Sequence, residues 1–198
     1  MPKLFFNGHG SFRLESDEGR IIYVDPYKGK GYDVPADLIL VTHQHPDHNK
    51  IKRCARKPDC TLITNEEALA GGQHNSFDLG WVKLQAVEAA NKNHDPAKCV
   101  GFIITLDGVK LYASGDTSKI KQMETFAALD LDYALYPCDG HFNMGPDEAA
   151  ECAKLVGAKH NILVHPMVGK SIAKIAESWD APNKLVIEPG QEIELVSA

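Results

Sequence analysis

Cysteine is scarce in this chain and badly spaced for chemistry. The five thiols, Cys54, Cys60, Cys99, Cys138 and Cys152, form no C-x-x-C pair, and an odd number argues against a disulfide framework. Long apolar runs are missing too: none approaches the length that crosses a bilayer, and residues 1–6 are too short for a signal peptide. No lysine and arginine block marks a phosphate-tracking face, and a net charge of −6 disfavours nucleic acid further. Five basic residues fall within residues 50–57, which a solvated helix face explains. Repeats, low-complexity stretches and linkers are also lacking. A cytoplasmic protein with no membrane or nucleic-acid partner is the simplest reading, and homo-oligomerisation stays open.

What is present suits one domain over residues 1–198, with 43% hydrophobic residues and room for a sizeable core. Strands are expected at residues 3–7, 11–15 and 20–25, the last two turning at Asp17-Glu18-Gly19. Further strands fall at 38–41, 61–64, 81–87, 100–106 and 109–112, with Asp107-Gly108 as a hairpin signal. Helices are expected at 47–57, from Asn65, and at 120–129. Another begins at Pro146, carries Asp147 and Glu148 in its first turn, buries Ala149, Ala153 and Val156, and stops at Gly157. Strands at 133–136, 161–164, 184–187 and 192–196 and a helix at 172–179 complete the chain. A β-rich first half followed by alternating helices and strands predicts an α+β arrangement of two sheets packed face to face, helices outside.

The stretch with chemistry is Leu38-Ile39-Leu40-Val41-Thr42-His43-Gln44-His45-Pro46-Asp47-His48. A short apolar strand releases three histidines and an aspartate, ligands that suit a first-row divalent metal. His43 and His45 are two apart on extended chain and can grip one ion. Pro46 then bends the path, so Asp47 and His48 can reach a second position. Asp25 ends a strand expected nearby and can hold the far nitrogen of a ligating histidine. Asp116, in Ser114-Gly115-Asp116-Thr117, reads equally as a ligand or a helix cap; the glycine before it favours the ligand. His74 and His160 read as surface residues, and the cysteines as structural.

The run His43-Gln44-His45-Pro46-Asp47-His48 resembles the H-x-H-x-D-H signature of the metallo-β-lactamase superfamily. The segment from Ala89 to Pro96, with His94, is similar to a third-ligand segment of its small hydrolases. Gly115-Asp116-Thr117 is similar to the segment whose aspartate bridges two metals, and Leu163-Val164-His165-Pro166 to the last ligand segment. Gly8-His9-Gly10-Ser11 and the loop from Asp139 to Ala150 resemble small members, a group that includes ascorbate-6-phosphate lactonase. The resemblance implies a four-layer αβ/βα (αββα) sandwich with its metal site at one edge of the two sheets. It implies His43, His45 and His94 on one ion, Asp47, His48 and His165 on the other, and Asp116 on both. Oxygen-reducing di-iron members place a glutamate where His45 stands, so this chain departs from them.

Two divalent ions are therefore expected, zinc first, with manganese or iron as alternatives. The implied activity is hydrolysis of a small-molecule ester, lactone or phosphoester by a metal-bridging hydroxide that Asp47 and Asp116 orient. His9, His141 and Asn143 are candidates for oxyanion contact or leaving-group protonation, with His141 the catalytic candidate among them. Lys28 and Lys30, on the loop at residues 27–34, are candidates for binding an anionic substrate. Two other readings stand beside this one: a nuclease or phosphodiesterase, and a non-catalytic or regulatory protein that keeps the metals.

Overall fold

Alternation along the strands decides which side chains meet between the two sheets. A computed structural model describes residues 1–197. Strands β1 (Lys3–Gly8), β2 (Ser11–Glu15) and β3 (Ile21–Val24) form an antiparallel meander, which β4 (Ala36–Val41) and β5 (Arg56–Thr64) extend in parallel. In the second sheet, β6 (Ser76–Asp78), β7 (Val82–Glu88), β8 (Val100–Leu106) and β9 (Val109–Ala113) pair antiparallel. To these β10 (Tyr133–Pro137), β11 (His160–Val164) and β12 (Lys184–Leu185) are added in parallel. Strand β13 (Glu192–Glu194) returns to β1, giving sheet orders β13-β1-β2-β3-β4-β5 and β12-β11-β10-β9-β8-β7-β6.

Phe6, Phe12, Leu14, Ile22, Leu38 and Leu40 of the first sheet join Leu84, Phe102, Ile104 and Leu111 of the second in one continuous core. Each such side chain, fully buried, contributes about 1.5–3 kcal/mol. The intervening residues Ile21, Tyr23, Ile39 and Val41 form a separate cluster with Tyr32 and Cys54. That outer face is therefore covered by the loop after β3 and a single 3₁₀ turn, Ile51–Arg53, instead of a long helix. Outside the second sheet lies α2 (Pro146–Val156), which begins with Pro146 and ends at left-handed Gly157, burying Ala149, Ala153 and Val156. The remaining helices are short: α1 (Asn65–Ala68) and α3 (Ile172–Ala176). Among the described residues no helix is long and apolar enough to cross a membrane.

Several local expectations are corrected. Residues 47–57 form no α-helix beyond the 3₁₀ turn Ile51–Arg53, because amides on either side of it are taken elsewhere: Lys50 N donates to Pro26 O at 2.7 Å and Ala55 N to Tyr32 O at 2.8 Å. Residues Lys121–Leu129 wind as a 3₁₀ helix, whose buried Met123 and Phe126 are three apart and so share one face. The helix expected at 172–179 stops at Ala176, and β5 begins five residues before the expected start at Thr61. Short edge strand β6 went unread because three residues carry too little pattern. The cap of α1 is Thr64, not Asn65: Thr64 and Glu67 form a reciprocal capping box. His160 is no loose surface residue but the half-buried start of β11, stacked on Tyr133 at 4.9 Å.

Candidate metal centre

The parallel strands of both sheets end at one edge, and nearly every end delivers a polar side chain there. Asp25 follows β3, Thr42 to His48 follow β4, and Asn65 follows β5. Asp116 comes after β9, Asp139 after β10 and His165 directly after β11. His9 lies in the β1–β2 turn, and His94 in the β7–β8 connection. His9, Asp25 and His165 take left-handed backbone conformations, with φ of 58°, 47° and 53°. Each costs roughly 1–2 kcal/mol, which the surrounding packing offsets. Gly10 leaves room for the two rings: a Cβ there would stand 3.1 Å from His48 Cε1 and 3.2 Å from His165 Cδ2, close enough to displace them by a few tenths of an ångström. Gly115 makes room for protein backbone, since its Cβ would meet Val100 O at 2.7 Å.

The side chains gather into two groups that share one carboxylate. His43 Nε2 and His45 Nδ1 are 3.1 Å apart, and His94 completes a set whose ligand atoms all lie within 4.8 Å. The other set is Asp47, His48 and His165, joined by His9, under the same limit. Asp116 Oδ2 lies 3.3 Å from His94 Nε2 and 3.3 Å from His165 Nε2, while Oδ1 is 3.4 Å from His48 Nε2. Asp116 therefore touches histidines of both groups.

Neighbours hold the histidine protons on the outward nitrogens. Asp25 Oδ2 lies 2.9 Å from His48 Nδ1 and also accepts from Thr42 Oγ1 at 2.7 Å. That commits the Thr42 hydroxyl as a donor to Asp25, so at 3.0 Å it accepts from His43 Nδ1. Asn91 Oδ1 takes the His94 Nδ1 proton at 2.9 Å. Asp139 Oδ2 stands 3.3 Å from His165 Nδ1, close enough for charge but off hydrogen-bond alignment. With three outward nitrogens hydrogen-bonded and the fourth facing a carboxylate, four Nε2 lone pairs converge on the centre. His94 Nε2 is buried and has no hydrogen-bond partner among the described residues, as expected of an atom that coordinates. The residues present thus fit divalent cations.

The electrostatics agree. Burial, with His48 beside it, pushes His43 down to about 2, so its ring is neutral. Burial also opposes charge on His165, yet Asp116 and Asp139 outweigh it and raise the ring to about 9. His48 is raised in the same way against its burial, by Asp116 and Asp25. Asp116 stays well below the usual carboxylate range despite its burial, because His48 and His165 adjoin it. An edge that attracts protons so strongly attracts divalent cations in their place.

The other candidates are spread more widely. His9 Nε2 bonds Asp47 Oδ2 at 3.1 Å and its ring lies 3.7 Å from that of His165. Asn143 is buried with both polar ends in use: Nδ2 donates to Asp139 Oδ2 at 2.8 Å, and Oδ1 accepts from Asn91 at 3.0 Å. His141 is exposed, its ring against Phe142, and makes no ring hydrogen bond among the described residues. Lys28 reaches over Tyr27 at 5.1 Å, and Tyr27 is 5.3 Å from His9. Lys30 lies instead in a groove with Lys52 and Arg53 that borders none of the metal-site residues. His74 is exposed.

All five cysteines are free, and burial raises Cys99 and Cys138 to about 12, leaving them as thiols. Thr42, Asn91, Asp139 and Asn65 escaped the sequence reading. Asp139 ends a strand just as Asp25 does and was open to the same inference; the two asparagines and the threonine carry no signal of their own. A cavity of about 660 Å³ opens beside the first group, walled by His45, His94, Asn93, Lys98, Leu69 and Cys99 among others.

Comparison with known proteins places these features among relatives. Residues 3–167 match the model of the β-lactamase superfamily domain. The UPF0173 metal-dependent hydrolase of Thermococcus onnurineus is 30% identical over 98% of this chain and 100% of its own length. That of Geobacillus sp. (strain WCH70) is also 30% identical, over 98% and 100%. Among solved structures, a Parabacteroides distasonis protein named as a metal-dependent hydrolase is 27% identical with a TM-score of 0.77, covering 95% of this chain and 93% of that one. Igni18, a metallo hydrolase from Ignicoccus hospitalis, shares the fold at 22% identity and a TM-score of 0.75, covering 97% of each chain.

Proposed function

We propose that this chain, which belongs to the β-lactamase superfamily and has its αβ/βα fold, is a binuclear metal-dependent hydrolase of small-molecule esters, lactones or phosphoesters. The observation that carries the reading is the convergence of four Nε2 lone pairs on Asp116, with each outward nitrogen beside an acceptor. His43, His45 and His94 would hold one ion, and Asp47, His48 and His165 the other, with Asp116 reaching both. Neutral imidazole and carboxylate favour zinc, with manganese or iron as alternatives. The chemistry such ions supply is polarisation of the oxygen under attack and acidification of a water.

The chain's own residues do the remainder. Asp25, Thr42, Asn91 and Asp139 keep the rings in one orientation. His9 holds Asp47 Oδ2 at 3.1 Å, so that carboxylate presents a fixed anionic oxygen towards His48 and His165. The cavity beside His45, about 660 Å³, has the volume of a small-molecule site. Asn93 and Lys98 on its wall offer donors to an acyl or phosphoryl oxygen, and Leu69 and Ala97 offer apolar surface.

Metal analysis combined with a screen of lactone, phosphodiester and thioester substrates tests this reading. Two ions per chain and turnover of a lactone or phosphoester are expected. One tightly bound ion with full activity and His165 uncoordinated would defeat it.

A further inference from the structure

Outside the ligands, a run of side chains leads from one group to the other, hydrogen-bonded at every step except the first, where Asp139 meets His165 by charge. His165 Nδ1 lies 3.3 Å from Asp139 Oδ2, to which Asn143 Nδ2 donates at 2.8 Å. Asn91 Nδ2 donates to Asn143 Oδ1 at 3.0 Å, and Asn91 Oδ1 lies 2.9 Å from His94 Nδ1. The run starts on one ligand group and ends on the other. Its anchor is buried, the Asp139 side chain being 2% exposed, with Oδ1 accepting from the amides of His141 at 2.8 Å and Phe142 at 2.6 Å.

Direction along this run is set by Asp139 at one end and supported at Asn91, whose Oδ1 also accepts from the Asn93 amide at 2.8 Å. An ionised carboxylate only accepts, so Asn143 must turn its NH₂ to Asp139 and its carbonyl to Asn91. Asn91 must then turn its NH₂ to Asn143 and its carbonyl to His94. A carbonyl also only accepts, so His94 must carry its proton on Nδ1, which leaves Nε2 with a lone pair. Were Asn143 reversed, Asn91 could answer it only by giving up the bond from the Asn93 amide and turning an NH₂ to His94 Nδ1, which would move the ring proton to Nε2, where it blocks coordination.

We propose that Asp139, together with the Asn93 amide, sets the ligating tautomer of His94 through Asn143 and Asn91, and that its charge favours the His165 proton on the facing Nδ1. Asn143 is then a positioning residue for the three-histidine site and makes no contact with substrate. This inference rests on the binuclear reading above.

Zinc and cobalt binding isotherms of the full chain, with assigned ¹⁵N spectra of the histidine rings, test it. Asn143→Leu keeps the branched outline, at a larger volume, and removes both side-chain hydrogen bonds. It should weaken the His43–His45–His94 site about 10–100-fold, the usual effect of losing an outer partner, and largely spare the other. The zinc-loaded wild type should show a slowly exchanging His94 Nδ1 proton that the variant loses. Asn91→Ala, at a half-buried turn position, cuts the same link from the other end and should give the same site-selective loss. Asp139→Asn should weaken both sites, yet when added to Asn143→Leu it should cost the three-histidine site nothing further. Wild-type affinities and a retained His94 Nδ1 proton in Asn143→Leu would overturn the proposal, as would additive effects of the two substitutions at that site. A wild-type chain that binds only one ion defeats the binuclear reading instead, and the His94 proton in that protein still decides the relay.

Discussion

His48 and His165 face one another with their Nε2 atoms 3.3 Å apart and their ring planes inclined by 17°. Behind each ring stands a carboxylate: Asp25 Oδ2 is 2.9 Å from His48 Nδ1, and Asp139 Oδ2 is 3.3 Å from His165 Nδ1. With protons held outward, two lone pairs meet at a separation that is repulsive unless positive charge stands between or beside them. Asp116 and Asp47, both held below the usual carboxylate range against their burial, chiefly by hydrogen-bonded or adjacent histidines, make that edge more anionic still. The site holds cationic charge at neutral pH, whether protons or metal ions supply it.

Removing the ions should therefore destabilise the fold. A ligand at 100 times its dissociation constant contributes about 2.7 kcal/mol per site. Chelation should lower the Tm by several degrees, and zinc should restore it. Identical melting with and without chelator would count against resident ions.

Asp116→Asn should be the most damaging single change. A carboxylate lies within 3.4 Å of His48, His94 and His165, and an amide would replace one of its anionic oxygens by a donor. Turnover should fall by more than the roughly 10–100-fold that outer partners contribute. One ion should be lost before the other, which metal analysis reads directly. Normal metal content and rate would leave Asp116 as a structural cap.

Thr42→Val is nearly isosteric and removes the oxygen that links Asp25 to His43. A buried His43 Nδ1 proton would be left without an acceptor, at about 1–3 kcal/mol. Chemical denaturation should show that loss, and zinc affinity at the three-histidine site should fall with it. Unchanged values for both would show that another group orients His43.

At the far end of β4 a carboxylate tests stability without touching the site. Asp37 is buried and accepts from Ile21 N at 2.8 Å and from Lys57 Nζ at 2.8 and 2.9 Å. Burial alone would raise its pKa, but Lys57 and the Ile21 amide outweigh that and hold it below the ordinary value. Because the folded value is the lower one, the stability Asp37 contributes is complete above the unfolded pKa. It is lost as pH falls through the folded pKa. Asp37→Asn should cost about 2 kcal/mol near pH 7, with the difference from wild type shrinking below about pH 4. Metal content should not change. A constant difference down to acid pH would refute this account.

The two lysines of the loop after β3 should behave differently. Lys28→Ala removes a cation one ring away from His9 and should raise KM for an anionic substrate up to about 5-fold, the range of an exposed ion pair. Lys30→Ala should leave KM unchanged, because Lys30 lines a separate groove. Equal effects, or none, would show that substrate approaches from another side.

The amino-acid sequence by itself determined which side chains form the core and where most elements begin and end. A two-residue period in β1 to β4 fixes opposite faces, and Pro146 and Gly157 bound α2, because these signals act between neighbours along the chain. The cluster from His43 to His48 was legible for the same reason: its polar groups crowd into six positions at the end of an apolar strand. Residues 47–57 were misread because their amides bond to Pro26 and Tyr32, partners that no local period announces. Only the tertiary structure decided which groups face the histidines from behind. Thr42, Asn91 and Asp139 come from three different strand ends, and Asn143, which reads as a substrate contact in sequence, spends both ends of its amide on Asp139 and Asn91. Residue type limits what a histidine can bind, but its tautomer depends on whether a donor or an acceptor faces the other nitrogen, and that is settled by packing across the two sheets.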